Sequence, residues 1–303
     1  MMMKLIPLLV SCLLLAVAMA DALNQTDENF KLNLVGTNQV KMPSLSIGQD
    51  NNRTYPEDHI LVYSENQPLK GTFSGSISLA DSNIRICILG LDIAEFLNPS
   101  SAVDRLMNCS GPSIRLNRTG VARFTVPGIP NGTYNLFVVD NNSSKALMAM
   151  PLLITQGNLT LQSPTKVMAG DVLNIKLNTT AEGNQTRIFA AIMISIKDYE
   201  NASLNLMNGN GTGTKGLNYT LSIGSKSLEI DGEPSLSTDL LMKVMNLLPQ
   251  NSAVGMQESK NPGADLALIT DTEWPKGIYI LTSAIYSPGS GLSGLKQETV
   301  EVI

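Results

Sequence analysis

The chain is poor in histidine, aromatic residues, charge and cysteine, and each scarcity narrows what it can do. Its only histidine is His59, so a Ser-His-Asp triad has one candidate base and a multi-histidine metal site has too few ligands. Aromatic residues make up 5% of the chain, with Trp274 the single tryptophan, which leaves little to stack on sugar rings in a glycan-processing cleft. Lys and Arg number 21 against 26 Asp and Glu, and they form no basic cluster. That argues against nucleic acid or anionic membrane as partners. After residue 20 no apolar run is long enough to span a bilayer, so the mature chain is expected to be released or held by partners.

What is present begins with an export signal. Lys4 gives a positive start, Leu5–Val17 is almost entirely apolar, and Ala18-Met19-Ala20 supplies a small-x-small cleavage pattern. Residues 1–20 therefore read as a secretory signal peptide. Leu9-Val10-Ser11-Cys12 resembles a lipobox, but the apolar core continues past the cysteine through Met19, which favours ordinary secretion. Removing Lys4 with the signal leaves 20 basic and 26 acidic residues. That is an ordinary solubilising surface.

Asn-x-Ser/Thr acceptor sequences occur at Asn24, Asn52, Asn108, Asn117, Asn131, Asn141, Asn142, Asn158, Asn178, Asn184, Asn201, Asn210 and Asn218. With 27 Asn and 49 Ser or Thr in 303 residues, chance placement leads to about 4 such sites rather than 13. On an exported chain this excess reads as N-glycosylation; the plainer alternative is Asn-rich turns without sugars. All 13 precede residue 221. Cys87 and Cys109 survive removal of the signal, and an even pair in an exported protein is expected to form a disulfide. Cys109 also lies inside the sequon Asn108-Cys109-Ser110, so bridging and glycan transfer compete there.

The texture along the chain is all-β. Residues 21–56 are polar and read as a flexible N-terminal arm with one candidate strand at Phe30, Leu32 and Leu34, which either closes the first domain or is donated to a neighbour's sheet edge. From Ile60 onward, short alternating runs separated by Gly, Pro and Asn turns have the spacing of a β-sandwich. Ile84, Ile86 and Ile88 line one face of a strand, while Arg85, Cys87 and Leu89 line the other. Helical stretches at Asp92–Leu97 and Ala102–Met107 follow, and the bridge is expected to pin this excursion onto the outer face of the strand. A linker at Gln156-Gly157-Asn158 leads to a second half. There Arg187–Ile196, apolar on both faces, is the analogue of Arg85–Leu89. A Gly/Asn-rich stretch and an amphipathic helix at Asp239–Leu248 form a longer insertion. The expected organisation is therefore two Ig-like β-sandwich domains, 57–156 and 157–303, with short helical insertions.

A repeated motif supports duplication. Pro130–Leu136 reads PNGTYNL and Pro275–Leu281 reads PKGIYIL, 145 residues apart. In a sandwich, a Tyr at the start of a late strand reaches back to the preceding corner's backbone. Pro sets φ and Gly takes the permissive turn position, so Tyr134 and Tyr279 are the expected structural corners. Gly71 and Gly170, 99 residues apart, provide a second alignment point.

The signal peptide, abundant sequons, scarce cysteine and the late Pro-x-Gly-x-Tyr-x-Leu strand resemble the extracellular repeat domains of methanogenic archaea, and more broadly archaeal surface-layer and adhesion modules with Ig-like folds. The resemblance covers roughly 60–303 and implies a cell-surface or matrix role with other surface proteins, glycans or further copies as partners; it supplies no binding residues. The Thr-rich stalk and C-terminal membrane helix of such families are missing from the sequence.

No reaction is legible. His59 with Glu57 and Asp58 makes either a loop metal site or a solvated strand entrance, the second being the commoner arrangement. Ser163-Pro-Thr-Lys166 matches Ser-x-x-Lys, but it leads into a turn and a strand rather than the helix that nucleophile needs. Asp50-x-Asn52-x-Thr54 starts like a calcium loop without its Gly and closing Glu, and calcium is the single cofactor with a candidate loop. The expectation is a non-catalytic, glycosylated extracellular protein. The alternatives are an adhesin or ligand-capturing module and, third, a secreted hydrolase of unrecognised type.

Overall fold

The computed structural model describes residues 30–47, 53–54, 59–90, 105–208, 217–231, 238–288 and 291–303. The N-terminal segment forms β1 (Lys31–Leu34), β2 (Asn38–Lys41), β3 (Ser44–Ile47) and β4 (Arg53–Thr54). The first half continues with β5 (His59–Ser64), β6 (Leu69–Ser74), β7 (Asn83–Gly90), β8 (Ser113–Arg115), β9 (Val121–Val126), β10 (Gly132–Asp140) and β11 (Ala146–Thr155). The second half contains β12 (Leu159–Gln162), β13 (Lys166–Val167), β14 (Val172–Thr179), β15 (Arg187–Ser195) and helix α1 (Ile196–Glu200). It goes on through β16 (Ser203–Asn208), β17 (Leu217–Ile223), β18 (Lys226–Asp231), helix α2 (Thr238–Leu247), β19 (Ala253–Ser259), β20 (Gly263–Ile269), β21 (Gly277–Ser287) and β22 (Gly291–Val302).

Two β-sandwiches of matching order result. In the first, β1-β6-β9 faces β2-β5-β11-β10-β7-β8 across a core containing Leu61, Phe73, Ile84, Ile86, Leu136 and Leu152. In the second, β12-β14-β20 faces β13-β22-β21-β15-β19 across Leu161, Leu173, Phe189, Leu281, Trp274 and Val300. Alternation drives both: β14 reads exposed-buried along its length, as a half-solvated antiparallel strand should. In immunoglobulin lettering each copy is A-B-E against A′-G-F-C-C′. The A′ and G strands run parallel in both, β5 beside β11 and β13 beside β22. The cysteine that antibody domains carry two residues after the corner Tyr is Leu136 in one copy and Leu281 in the other. Neither core therefore has the inter-sheet bridge.

Three parts of the sequence reading need correction. Within its described part, the N-terminal segment is woven into the fold rather than free. β1 pairs with β6, β2 pairs with β5, and β3 runs parallel to β16 of the second half. Second, the longer insertion is a sheet as well as a helix: β18-β17-β16-β3-β4 makes a third layer. Third, Thr72–Leu79, which reads in sequence as a single strand with Phe73, Ile77 and Leu79 on one face, is not one strand. β6 ends at Ser74, and Ile77–Leu79 is a 3-10 turn with Ile77 76% exposed.

The third layer covers the outer faces of both sandwiches. One buried cluster joins Ile60, Val62 and Leu153 of the first half to Ile194, Ala284 and Leu295 of the second, beneath Leu204, Tyr219 and Leu221 of the third sheet and Val244 of α2. This explains why β15 is apolar on both faces: one faces its own sandwich, the other this layer. The linker is likewise held down, with Gln156 N donating to Leu292 O at 3.4 Å and Gly157 N to Ser293 O at 3.2 Å.

Register also revises the alignment of the copies. Tyr134 stands opposite Gly90 on its C strand and Tyr279 opposite Ser195. That places Ala190, not Arg187, at the position of Arg85. Gly71 lies inside β6, where an added Cβ would come within 2.5 Å of the Phe124 ring and 2.6 Å of Leu34. Gly170 instead lies in the turn before β14. Its counterpart in the first copy is the turn at Asn66, and both residues have positive φ, 92° and 61°.

Candidate functional site: two corners and a groove

Both copies build the same corner from the same short motif. The Tyr134 hydroxyl donates to Pro130 O at 3.1 Å, and the Tyr279 hydroxyl donates to Pro275 O at 3.0 Å. The intervening glycines have nearly equal backbone, φ 150° at Gly132 and 149° at Gly277, in the region that only glycine adopts without strain. Burial raises the pKa of Tyr134. At Tyr279 burial also raises it, a side-chain hydrogen bond with Asn251 lowers it, and the nearby Asp198 charge raises it again. Both hydroxyls are therefore neutral donors at physiological pH.

The surroundings of the two corners differ. The first carries the Asn131 sequon, whose backbone N–H donates to Glu65 Oε2 at 3.2 Å. In the second, Lys276 replaces that asparagine. Trp274 stacks on Tyr279, with ring centroids 5.2 Å apart and planes 8° apart. Trp274 is buried, so it supports the corner from within rather than offering a platform to a ligand.

Beside the second corner lies a groove of about 830 Å³, bounded by the end of β15 with α1, the segment before β19, and the corner itself. Asp198, Asn251, Asp271, Glu273 and Lys276 line it. Asp198 Oδ2 accepts from the Ser195 hydroxyl at 2.5 Å and from Asn251 Nδ2 at 3.3 Å. Asp271 Oδ1 accepts from Glu273 N at 2.9 Å. The arrangement offers carboxylates, amides and two ammonium groups, those of Lys197 and Lys276, in a wide depression. That chemistry suits hydrogen bonding to a polar ligand.

The remaining sequence candidates are dispersed. The disulfide joins Cys87 and Cys109, with Cα atoms 5.9 Å apart. Cys87 is fully buried on the outer face of the first sandwich beside Phe137, Val139 and Leu106, and Leu106 belongs to a helical turn at 105–107. The helical stretch at 92–97 lies outside the described residues, as do Asn24, Asp50, Asn52, Asn210, Glu57 and Asp58. His59 begins β5. Ser163 Oγ donates to Glu298 Oε2 at 3.4 Å, and Lys166 sits in β13, paired with Glu301 at 2.7 Å, so the Ser-x-x-Lys match does not form a unit. Of the described sequon asparagines, Asn108, Asn117, Asn142, Asn158, Asn184 and Asn201 are exposed and Asn131, Asn141, Asn178 and Asn218 are partly buried. Asn117 is held in a local turn, its Oδ1 accepting from Thr119 Oγ1 at 2.8 Å and Val121 N at 2.9 Å. Among the described residues no helix is long and apolar enough to cross a membrane.

The groove residues had no signature in the sequence. Asp198, Asn251 and Asp271 come from three separate segments and meet only because the C strand, the C′ strand and the corner converge at one end of the sandwich.

No protein-family model matches the chain, and no curated protein matches it. Among solved structures it is similar to a marsupial T cell receptor at 11% identity, over 80% of this chain and 69% of that one, with a TM-score of 0.24. At that score the likeness adds nothing to the fold, which rests on the strand order and the two corners.

Proposed function

We propose that this protein is a secreted, N-glycosylated component of a cell surface or extracellular matrix, structural or interactive in role and without catalysis. The observation that carries this reading is the placement of the acceptor sites: none of the ten described sequon asparagines is buried, as attachment of a bulky sugar requires. The disulfide fits an oxidising compartment. The shared third layer supports a structural role, because it packs against both sandwiches instead of leaving a flexible joint. Its partners are other surface proteins, glycans or further copies of the chain, and its localisation is extracellular. Mass spectrometry of glycopeptides from native protein tests the reading. Sugars on several of the exposed sites are expected, and uniformly bare asparagines would sink it.

The groove at the second corner favours a second reading, a ligand-capturing or adhesive module for a polar partner such as a glycan. Glycan-array binding with Asp271→Asn and Lys276→Ala variants separates the two. Binding by wild type that both variants lose supports capture, whereas no binding leaves the structural role.

A further inference from the structure

Where the two sandwiches meet the third layer, packing is incomplete. A cavity of about 80 Å³ remains, walled by Val40 of β2, Ile60 of β5, Ile194 of β15, Leu221 of β17, Val244 of α2 and Ala284 of β21. Six elements from three sheets and a helix converge there, and no single ridge-and-groove fit satisfies all of them. The lining also includes Lys41, Tyr199 and Thr282, but their polar groups are committed to one another. The Tyr199 hydroxyl donates to the Lys41 carbonyl. Gln297 Nε2 donates to the Tyr199 hydroxyl at 3.1 Å and to Thr282 Oγ1 at 3.0 Å, while its Oε1 accepts from Lys41 N at 2.9 Å. Lys41 Nζ is paired with Glu200 at 2.7 Å.

Water is held in a cavity only where it finds two to four polar partners, and apolar cavities that lack them stay dry. Here the polar wall is already bonded and the rest is aliphatic. A dry void forfeits dispersion contacts along its whole lining, so an apolar guest that restores them binds without displacing any hydrogen bond. Apolar cavities of about 150 Å³ take up benzene or xenon; this one is roughly half that size and excludes a benzene ring. Lys41 and Tyr199 are only partly buried, which places the cavity's polar wall next to solvent and provides a route in.

We propose that this junction is a binding site for a short alkyl group, a small aliphatic molecule of roughly three or four carbons. The site is independent of the sequons and of the groove, so it stands or falls separately from the proposed function. Crystals pressurised with xenon, and isoleucine-methyl NMR of the full chain under propane, test it. Xenon density between Ile60 and Ile194 is expected, with saturable methyl shifts confined to the cavity. Ala284→Leu, which projects into the space, should weaken propane binding at least tenfold. Ile194→Val, which enlarges the space, should strengthen it. If Ala284→Leu does not fold, Ile194→Val alone decides. A folded wild-type protein without xenon in the cavity, propane shifts unchanged by Ala284→Leu, or no gain in Ile194→Val overturns the proposal.

Discussion

The two sandwiches are built to one plan yet are braced in opposite ways. Both insert extra chain between their C and C′ strands, after β7 in the first copy and after β15 in the second. In the first copy the insertion is tied to its sheet covalently, through Cys87–Cys109, with Leu106 packed beside the bridge. In the second it has grown into three strands and two helices, held by an apolar layer that also captures the N-terminal segment. A short excursion buries too little surface to hold itself down, and a cross-link compensates by restricting the unfolded chain. A long one can form a core of its own. The same contrast recurs at the corners, where Tyr134 is half-buried beside a sequon and Tyr279 is buried against Trp274.

The corners offer the largest test of this contrast. Tyr279→Ala removes a buried ring from a stacked pair and should cost about 3–5 kcal/mol. Tyr134→Ala, at the more open corner, should cost about 1–2 kcal/mol. Chemical denaturation of both variants checks the ordering, and equal losses would mean that Trp274 adds nothing. Next comes the brace itself. Replacing both Cys87 and Cys109 by Ala opens a link across 22 residues and should cost about 3 kcal/mol. Hydrogen exchange should show the lost protection in the first sandwich, with the second unchanged.

A smaller effect depends on pH and belongs to the first copy alone. Asp140 lies at the turn between β10 and β11. Burial pushes its carboxyl up, but hydrogen bonds from the Ser143 hydroxyl and the backbone N–H groups of Asn142 and Ser143 together hold its pKa below the ordinary value. A depressed folded pKa means that the stabilisation is present above the unfolded carboxylate range, near about pH 4, and is lost as pH falls through the lower folded value. Melting curves in acid should therefore show an added loss in wild type that Asp140→Asn abolishes. The corresponding turn of the second copy, Ser287-Pro-Gly-Ser-Gly291, carries no carboxylate.

The smallest effect distinguishes the cores. Ser283 faces the second core, fully buried, and its hydroxyl has no hydrogen-bond partner among the described residues. Register puts Val138 at the same place in the first copy. Ser283→Ala should be neutral or stabilising by up to about 1 kcal/mol, read from denaturation midpoints. A clear destabilisation would show that the hydroxyl has a bonded partner in solution.

The sequence by itself determined whatever depends on neighbours along the chain. Alternating apolar residues specify strands because side chains in a pleated strand point to opposite faces. The corner is legible because its hydrogen bond spans four residues, from Tyr134 to Pro130 and from Tyr279 to Pro275. The disulfide is legible because only two cysteines lie outside the expected export signal and they are close in sequence. The tertiary structure alone decided the third sheet, the groove and the junction cavity. β3 and β16 are short strands, and the Ser44–Ser203 pairing in their ladder joins residues 159 positions apart. Nothing in a short polar-apolar alternation names a partner at that distance, because every half-buried strand presents the same backbone groups to any free edge. Lys41 and Gln297 meet across 256 positions for the same reason. Their contact exists only once both sandwiches are formed and the third layer has closed over them.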